Sequence, residues 1–161
     1  MKVVVNTTPI ISLASIGRLD LLERLFGRVL ITEAVYREIK AKPGYGYDQI
    51  DQDFIEVRSI QGELYKRLLL NQLDAGEAET IILAMEIDAD FVIIDENIGY
   101  RLATSAGLTV VRTLSILLRA KEKGYIDQVK PLIDQMVSRG RWYSEAVRRA
   151  VLERAGEGAD N

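Results

Sequence analysis

Short apolar segments that alternate with helical patterns are the feature of this sequence that most constrains its fold. Five segments rich in apolar and β-branched residues recur along the chain: "VVV", "RVLI", "FIEVRSI", "DFVIID" and "LTVV". Amphipathic helical patterns lie between them. This alternation of strands and helices favours a parallel sheet that is covered by helices on both faces. We therefore expect an α/β fold.

Capping and turn residues set the boundaries of the predicted helices. Thr8 followed by Pro9 fits the start of a helix that ends at Gly17, and Thr32 fits the cap of a helix that ends near Lys40. Three further helical patterns fill the C-terminal third.

The expected organisation is a single domain over residues 1–161. Within it we expect an α/β core at 1–124, a helical extension at 125–156 and a frayed tail at 157–161.

The composition excludes several kinds of catalytic site. The chain has no His and no Cys, so it contains neither a Ser–His or Cys–His nucleophile nor an imidazole or thiolate metal site. A bound metal must be held by oxygen atoms, which favours Mg²⁺ or Mn²⁺. The lack of Cys fits a cytoplasmic protein, and we expect neither a signal peptide nor a membrane span. The net charge of −3 indicates no general nucleic-acid surface, but it allows a local basic patch.

Polar side chains follow two of the predicted strands. Asn6 comes directly after "VVV", and Asp95 comes directly after "FVII". The carboxyl ends of parallel strands lie on one edge of a sheet, and ligands bind at that edge. Asn and Asp are also common as helix caps and turn residues. The pattern therefore leaves two interpretations open, an oxygen-ligand site or two local caps.

Glu38 borders the apolar stripe of its predicted helix. It follows Ala34 and Val35 by four and three residues, which places it beside the buried face. A carboxylate near a core needs a partner because removing its charge from water is costly. A metal ion or an Arg would serve as that partner. Alternatively, Glu38 lies at the edge of the helix, where it reaches water or pairs with Arg37 or Lys40.

The segment "DAGEAE" carries further acids. Asp74 and Glu77 have the spacing of a capping box, which gives Glu77 a structural explanation. Glu79 lacks that explanation and points about 200° away from Glu77 around the helix. Taken together, these acids predict a cluster of oxygen ligands of the kind that suits metal-dependent phosphodiester hydrolysis.

Four segments resemble the PIN-domain nucleases, the family that includes the VapC toxins: "VVVNTTPIISLASIGRLDLL", "ITEAVYREI", "LDAGEAETIILA" and "FVIIDENIGYRLATSAGLTVV". The similarity is greatest to a prokaryotic branch of PIN proteins. It implies a three-layer α/β/α sandwich around a central, mostly parallel sheet of about five strands. It also implies RNA cleavage that depends on Mg²⁺ or Mn²⁺.

The resemblance also implies site residues. The catalytic and metal-binding positions of the family fall on Asn6, Glu38, Glu79 and Asp95, and further positions at the edge of the site fall on Thr8, Glu77 and Arg101. Arg101 would pair with Glu77 or Glu79, or contact phosphate.

Asn6 departs from the acid that the family has at this position. An amide oxygen can bind Mg²⁺ but adds no negative charge, so a site with Asn6 should hold metal less tightly. Two functions follow from the sequence. The first is a metal-dependent ribonuclease, with a toxin paired with an antitoxin as one form of it. The second is a weakened or inactive PIN scaffold that binds RNA or protein.

Three further features bear on partners. The segments "LLERLF" and "YKRLLL" offer apolar surface for a homodimer. The segment "SRGRWYSEAVRRAVLER" combines basic residues with the only Trp of the chain, which indicates either an RNA or partner surface or a solvated amphipathic helix. No predicted strand is followed by a glycine-rich phosphate loop, so a Rossmann-like nucleotide binder is disfavoured.

Overall fold

A five-stranded, wholly parallel sheet forms the centre of the structure, a computed structural model that describes residues 1–158. Its strands are β1 (Val3–Val5), β2 (Val29–Thr32), β3 (Ile55–Arg58), β4 (Phe91–Ile93) and β5 (Val110–Val111). The spatial order is β3-β2-β1-β4-β5. The chain therefore adds strands first on one side of β1 and then on the other, which creates a switch point between β1 and β4.

Helices cover both faces of this sheet. They are α1 (Thr7–Ser15), α2 (Asp20–Phe26), α3 (Glu33–Lys40), α4 (Glu63–Leu69), α5 (Ala75–Glu86), α6 (Asn97–Ser105), α7 (Thr113–Glu122), α8 (Lys130–Ser138) and α9 (Glu145–Arg154). Side chains alternate across a strand, so Val3 and Val5 enter the core closed by α1, α2, α7 and α8, while Val4 enters the core closed by α5 and α6. The predicted three-layer α/β/α fold is confirmed.

Capping geometry supports one predicted helix start and corrects another. The Thr32 hydroxyl accepts a hydrogen bond from the backbone N–H of Val35 at 3.3 Å, as predicted for α3. Helix α1, however, begins at Thr7, and Asn6 occupies the N-cap position without a side-chain capping bond. The prediction that Thr8 caps this helix is wrong, because the chain passes from β1 through a single extended residue directly into the helix.

The C-terminal helices share the core of the sheet. Val129, Ile133 and Met136 are almost completely buried and belong to the same apolar cluster as Val5. Helix α8 therefore closes the core beside α1. Within residues 1–158, no helix has both the length and the hydrophobicity that crossing a membrane requires.

The end of the described chain is anchored at Glu157, which the sequence placed in a frayed tail. Its carboxylate accepts hydrogen bonds from Lys121 Nζ at 2.9 Å and from the backbone N–H groups of Val129 at 2.7 Å and Lys130 at 2.9 Å. Glu157 is thus held against the start of α8. The remainder of the predicted tail, 159–161, lies outside the described residues.

We expect Met136→Ala to lower the free energy of unfolding by about 2–5 kcal/mol, because it opens a cavity in a completely buried part of the core. Urea denaturation measures this loss. Leu68→Ala, at a position that is 66% exposed, is the control and should stay within about 0.5 kcal/mol of wild type. Equal effects of the two changes would contradict a core role for α8.

Candidate active site

The pairing of β1 with β4 decides where the strand-end residues Asn6 and Asp95 point. The Asn6 N–H donates to the Ile93 carbonyl at 3.0 Å, which brings both strand ends to one edge. In this register Val5 lies opposite Ile93. Continuing the alternation places Asn6 on the same face as Ile94, whereas Asp95 turns to the opposite face.

Side-chain contacts agree with this alternation. Asn6 faces α5, where the Thr80 hydroxyl donates to its Oδ1 at 3.4 Å. Asp95 faces α7, where its carboxylate accepts bonds from the Thr113 N–H at 2.8 Å and the Thr113 hydroxyl at 2.7 Å. Arg141 Nη2 lies 3.5 Å from Asp95 Oδ2. The predicted grouping of Asp95 with Asn6 at one ligand site is therefore not present in the structure.

An open cleft of about 700 Å³ lies on the Asn6 side of the sheet edge, and we call it the acidic cleft. Its acidic side chains are not balanced by any Lys or Arg among the residues that line it. The lining residues are Asn6, Thr7, Thr8, Glu38, Gln72, Asp74, Glu77, Glu96, Asn97 and Ile98.

Glu38 is held in the acidic cleft by two short hydrogen bonds. The Thr7 hydroxyl donates to Glu38 Oε2 at 2.6 Å, and the Gly76 N–H donates to Oε1 at 2.9 Å. A Cβ atom on Gly76 would lie only 2.5 Å from both carboxylate oxygens, so glycine is required for this approach. Burial raises the pKa of Glu38; the hydrogen bonds from Thr7 and Gly76 lower it and the charges of Asp74 and Glu79 raise it, and the net shift is upward.

Glu77 belongs to the capping box at the start of α5 and also lines the acidic cleft. Asp74 Oδ1 accepts from the Glu77 N–H at 2.8 Å, and Glu77 Oε1 accepts from the Asp74 N–H at 3.2 Å, which completes the predicted capping box. Its Oε2 lies against Gly99 of α6, where a Cβ would come within 3.3 Å. Burial raises the pKa of Glu77, and the neighbouring charges of Asp74 and Glu96 add to this effect.

Glu79, which the resemblance placed among the ligands, is not among the residues that line the acidic cleft. It is 3% exposed, and it accepts hydrogen bonds from Lys66 Nζ at 2.7 Å and from the Ala34 N–H at 3.0 Å. Burial would raise the pKa of Glu79, but these bonds outweigh burial and lower it. Residues two apart on a helix point about 200° apart. Since Glu77 faces the acidic cleft, Glu79 faces away and ties α5 to α3 and α4.

The two remaining predicted residues, Thr8 and Arg101, differ in where they lie relative to the acidic cleft. Thr8 is half-buried and lines the acidic cleft. Arg101 is exposed on α6 and forms no ion pair with the residues described, so its expected pairing with Glu77 or Glu79 is not present.

Sequence reasoning missed several residues that hold or line the acidic cleft. Thr7 and Gly76 hold Glu38, and Glu96 adds a carboxylate to the lining. The position of Glu96, directly after Asp95, is the one signal that pointed to it. Nothing in the sequence pattern shows that Thr7 and Gly76 meet Glu38, because both contacts join distant segments.

The lining of the acidic cleft fits a divalent cation in its chemistry. Carboxylate, amide and hydroxyl oxygens are the donors that Mg²⁺ and Mn²⁺ accept. Burial raises the pKa values of Glu38 and Glu77, and neighbouring negative charges raise them further. A bound cation would offset the repulsion among these carboxylates. Within residues 1–158, however, no group of three acidic side chains is arranged to hold a metal ion. Their side chains would therefore have to move to share one ion.

The fold and the acidic cleft define an α/β protein with a polar site at the switch point of a parallel sheet. A family model described as a PIN domain matches residues 2–157, and the chain therefore belongs to the PIN-domain family. This assignment confirms the resemblance and gives the chain a nuclease-type fold. Searches of curated proteins and of solved structures found no match.

The Glu79–Lys66 pair should make stability depend on pH. The pKa of Glu79 is lower in the folded state than in the unfolded state, so its stabilisation is complete above the unfolded value and is lost as the pH falls through the folded value. We expect Glu79→Gln to reduce the free energy of unfolding at pH 7 by about 3 kcal/mol, because it leaves Lys66 without its partner. The difference from wild type should shrink as the pH falls. Urea denaturation across this range measures it, and a difference that does not change with pH would contradict the assignment.

Proposed function

We propose that this protein is a ribonuclease that depends on Mg²⁺ or Mn²⁺ and cleaves phosphodiesters in the acidic cleft. The observation that carries the proposal is the set of unbalanced carboxylates at the β1–β4 switch point of a PIN-domain fold. A site with this charge attracts a cation, and it repels phosphate until a cation is bound. Glu38, Glu77 and Asn6 are the residues that we propose to hold the ion.

The bound ion would lower the pKa of water and neutralise charge on phosphate. The chain itself supplies positioning. Thr7 and the Gly76 amide hold the Glu38 carboxylate at the N-terminus of α5, and the capping box with Asp74 holds Glu77 in the first turn of the same helix.

A second candidate is a weakened PIN scaffold that binds RNA or protein without cleaving it. Asn6 favours this candidate because an amide occupies the position where the family has an acid. The absence of a gathered group of three acids within the described residues also favours it. Measurements of Mn²⁺ binding and of RNA cleavage together distinguish the ribonuclease from the weakened scaffold.

The biological setting is also a proposal. An antitoxin partner, a homodimer and a cytoplasmic location stay predictions. The exposed Leu64 and Leu68 of α4, at 76% and 66% exposure, support the homodimer because they place apolar surface on one face of that helix.

Glu77→Gln and Glu79→Gln form a matched pair, because the same substitution is made two positions apart on one helix. We expect Glu77→Gln to reduce Mn²⁺-dependent cleavage of an RNA panel by about a hundredfold or more, since it removes a ligand charge. We expect Glu79→Gln to retain cleavage within about threefold of wild type. Both are assayed at a temperature at which circular dichroism shows them folded.

The opposite ranking would return the metal-binding role to Glu79. Failure of the wild-type protein to cleave RNA or to bind Mn²⁺ would favour the scaffold.

Asn6→Asp should restore the missing charge. We expect it to tighten Mn²⁺ binding by about tenfold, which equals about 1.4 kcal/mol, because Asn6 lies in the acidic cleft with Glu38 and Glu77. The melting temperature without metal should fall because the added charge is repelled, and it should recover on adding Mn²⁺. Calorimetry and thermal unfolding measure these effects. Asn71→Asp, at an exposed position outside the acidic cleft, is the control. Unchanged Mn²⁺ affinity in Asn6→Asp would contradict a ligand role for residue 6.

A further inference from the structure

A second cleft of about 490 Å³ adjoins the acidic cleft, and we call it the arginine–tryptophan cleft. Two residues, Glu96 and Asn97, line both clefts, so the two are continuous along the edge of the sheet. The other residues that line it are Asp95, Arg112, Leu114, Ser115, Arg141, Trp142, Tyr143, Ser144, Val147 and Val151.

Arg112 is held in the arginine–tryptophan cleft by neutral groups. Its guanidinium donates to the backbone carbonyl of Asp95 at 3.0 Å and to the side-chain oxygen of Asn97 at 3.2 Å, and it stacks 4.2 Å from the centre of the Tyr100 ring. These partners are neutral groups, and within residues 1–158 Arg112 forms no ion pair. The guanidinium is therefore fixed in place while its charge stays available.

Arg141 has an unused hydrogen-bond donor in the arginine–tryptophan cleft. Its Nε is buried and has no hydrogen-bond partner within the described residues. Its Nη2 lies 3.5 Å from Asp95 Oδ2, which is longer than the 2.7–2.9 Å of a strong charged hydrogen bond. A buried donor without a partner is costly, so a ligand with acceptor oxygens would be favoured there.

Trp142 is 78% exposed at the rim of the same cleft and is the only Trp of the chain. Trp is mostly buried in folded proteins, so such exposure is uncommon. The backbone on both sides is anchored, because the Arg141 N–H donates to the Met136 carbonyl at 3.0 Å and the Ser144 hydroxyl caps α9. The indole is thus presented to solvent from a fixed segment, as a surface on which a nucleobase can stack.

The arginine–tryptophan cleft supplies cationic side chains, which the acidic cleft lacks in its lining. The acidic cleft has no basic residue in its lining, so phosphates beside the one being cleaved need positive charge from elsewhere. Arg112 and Arg141 are the arginines of the neighbouring cleft, and Trp142 offers a stacking face next to them. Exposed indole stacks best on a base that is not paired in a duplex.

We propose that the arginine–tryptophan cleft binds an unpaired nucleotide of single-stranded RNA, with its base on Trp142 and its phosphate at Arg112 and Arg141. This inference rests on the proposed function, because it places that nucleotide next to the phosphate that enters the acidic cleft. It assigns the segment around Trp142 to substrate recognition.

The test uses the full chain with an adenine hexaribonucleotide in EDTA, so that binding is measured without cleavage. Because Trp142 is the only Trp, its fluorescence reports this position alone. We expect the hexaribonucleotide to quench it, and we expect the same RNA as a duplex to quench it little. Fluorescence anisotropy of a labelled oligonucleotide gives the affinity independently.

Variants test each contact. Trp142→Ala should weaken binding by about tenfold or more, and Trp142→Phe should recover most of it because an aromatic face remains. Arg112→Gln and Arg141→Gln should each weaken binding and reduce the slope of log affinity against log salt by about 0.7. Arg149→Gln, which removes an exposed charge paired with Glu145 outside both clefts, is the control.

The outcomes separate this inference from the proposed function. Quenching that the arginine variants weaken, together with an anisotropy affinity that Trp142→Ala weakens, supports the subsite even if the wild-type protein cleaves no RNA. Wild-type cleavage that Glu77→Gln abolishes, with an affinity that Trp142→Ala leaves unchanged, keeps the nuclease and overturns the subsite. Equal quenching by duplex RNA overturns the single-strand preference. A change in fluorescence with protein concentration alone, without RNA, would assign Trp142 to a contact between copies of the chain.

Discussion

The hydrogen-bonded pairing of β1 with β4 is the constraint on which the rest of this structure depends. It places the switch point of the sheet between two strands that end in polar residues, and its register puts Val5 opposite Ile93. Because side chains alternate across a strand, Asn6 and Asp95 leave the sheet on opposite faces. One parallel edge therefore carries two clefts, the acidic cleft beside α5 and the arginine–tryptophan cleft beside α7.

Three carboxylates near this edge are held by groups from other segments of the chain. Glu38 accepts from Thr7 and Gly76, Glu79 from Lys66 and Ala34, and Asp95 from Thr113. The pKa values of two of these carboxylates, Glu79 and Glu38, shift in opposite directions. Burial would raise the pKa of both Glu79 and Glu38, but the bonds from Lys66 and Ala34 lower that of Glu79, whereas the pKa of Glu38 stays raised by burial and by neighbouring acids. The acidic groups thus divide into those that stabilise the fold and those that leave charge in the acidic cleft.

Most of the fold could be predicted because its signals are local. The order of strands and helices, the cap at Thr32 and the capping box of Asp74 with Glu77 all follow from short-range patterns. The start of α1 could not be placed in this way, because both Thr7 and Thr8 are suitable near a helix start. The candidate site was predicted less well: Asn6, Glu38, Glu77 and Thr8 line the acidic cleft, but Glu79 and Asp95 do not.

By itself the sequence determined the class of fold, the family and the oxygen chemistry of any metal site, because hydrophobic periodicity, motif order and the absence of His and Cys are properties of the chain alone. Only the tertiary structure decided which acids meet. Helical rotation turns Glu77 into the acidic cleft and Glu79 away from it, and strand register separates Asp95 from Asn6. These outcomes depend on which partner segments are available in space, such as Lys66 beside Glu79 and Thr113 beside Asp95, and sequence spacing does not contain that information.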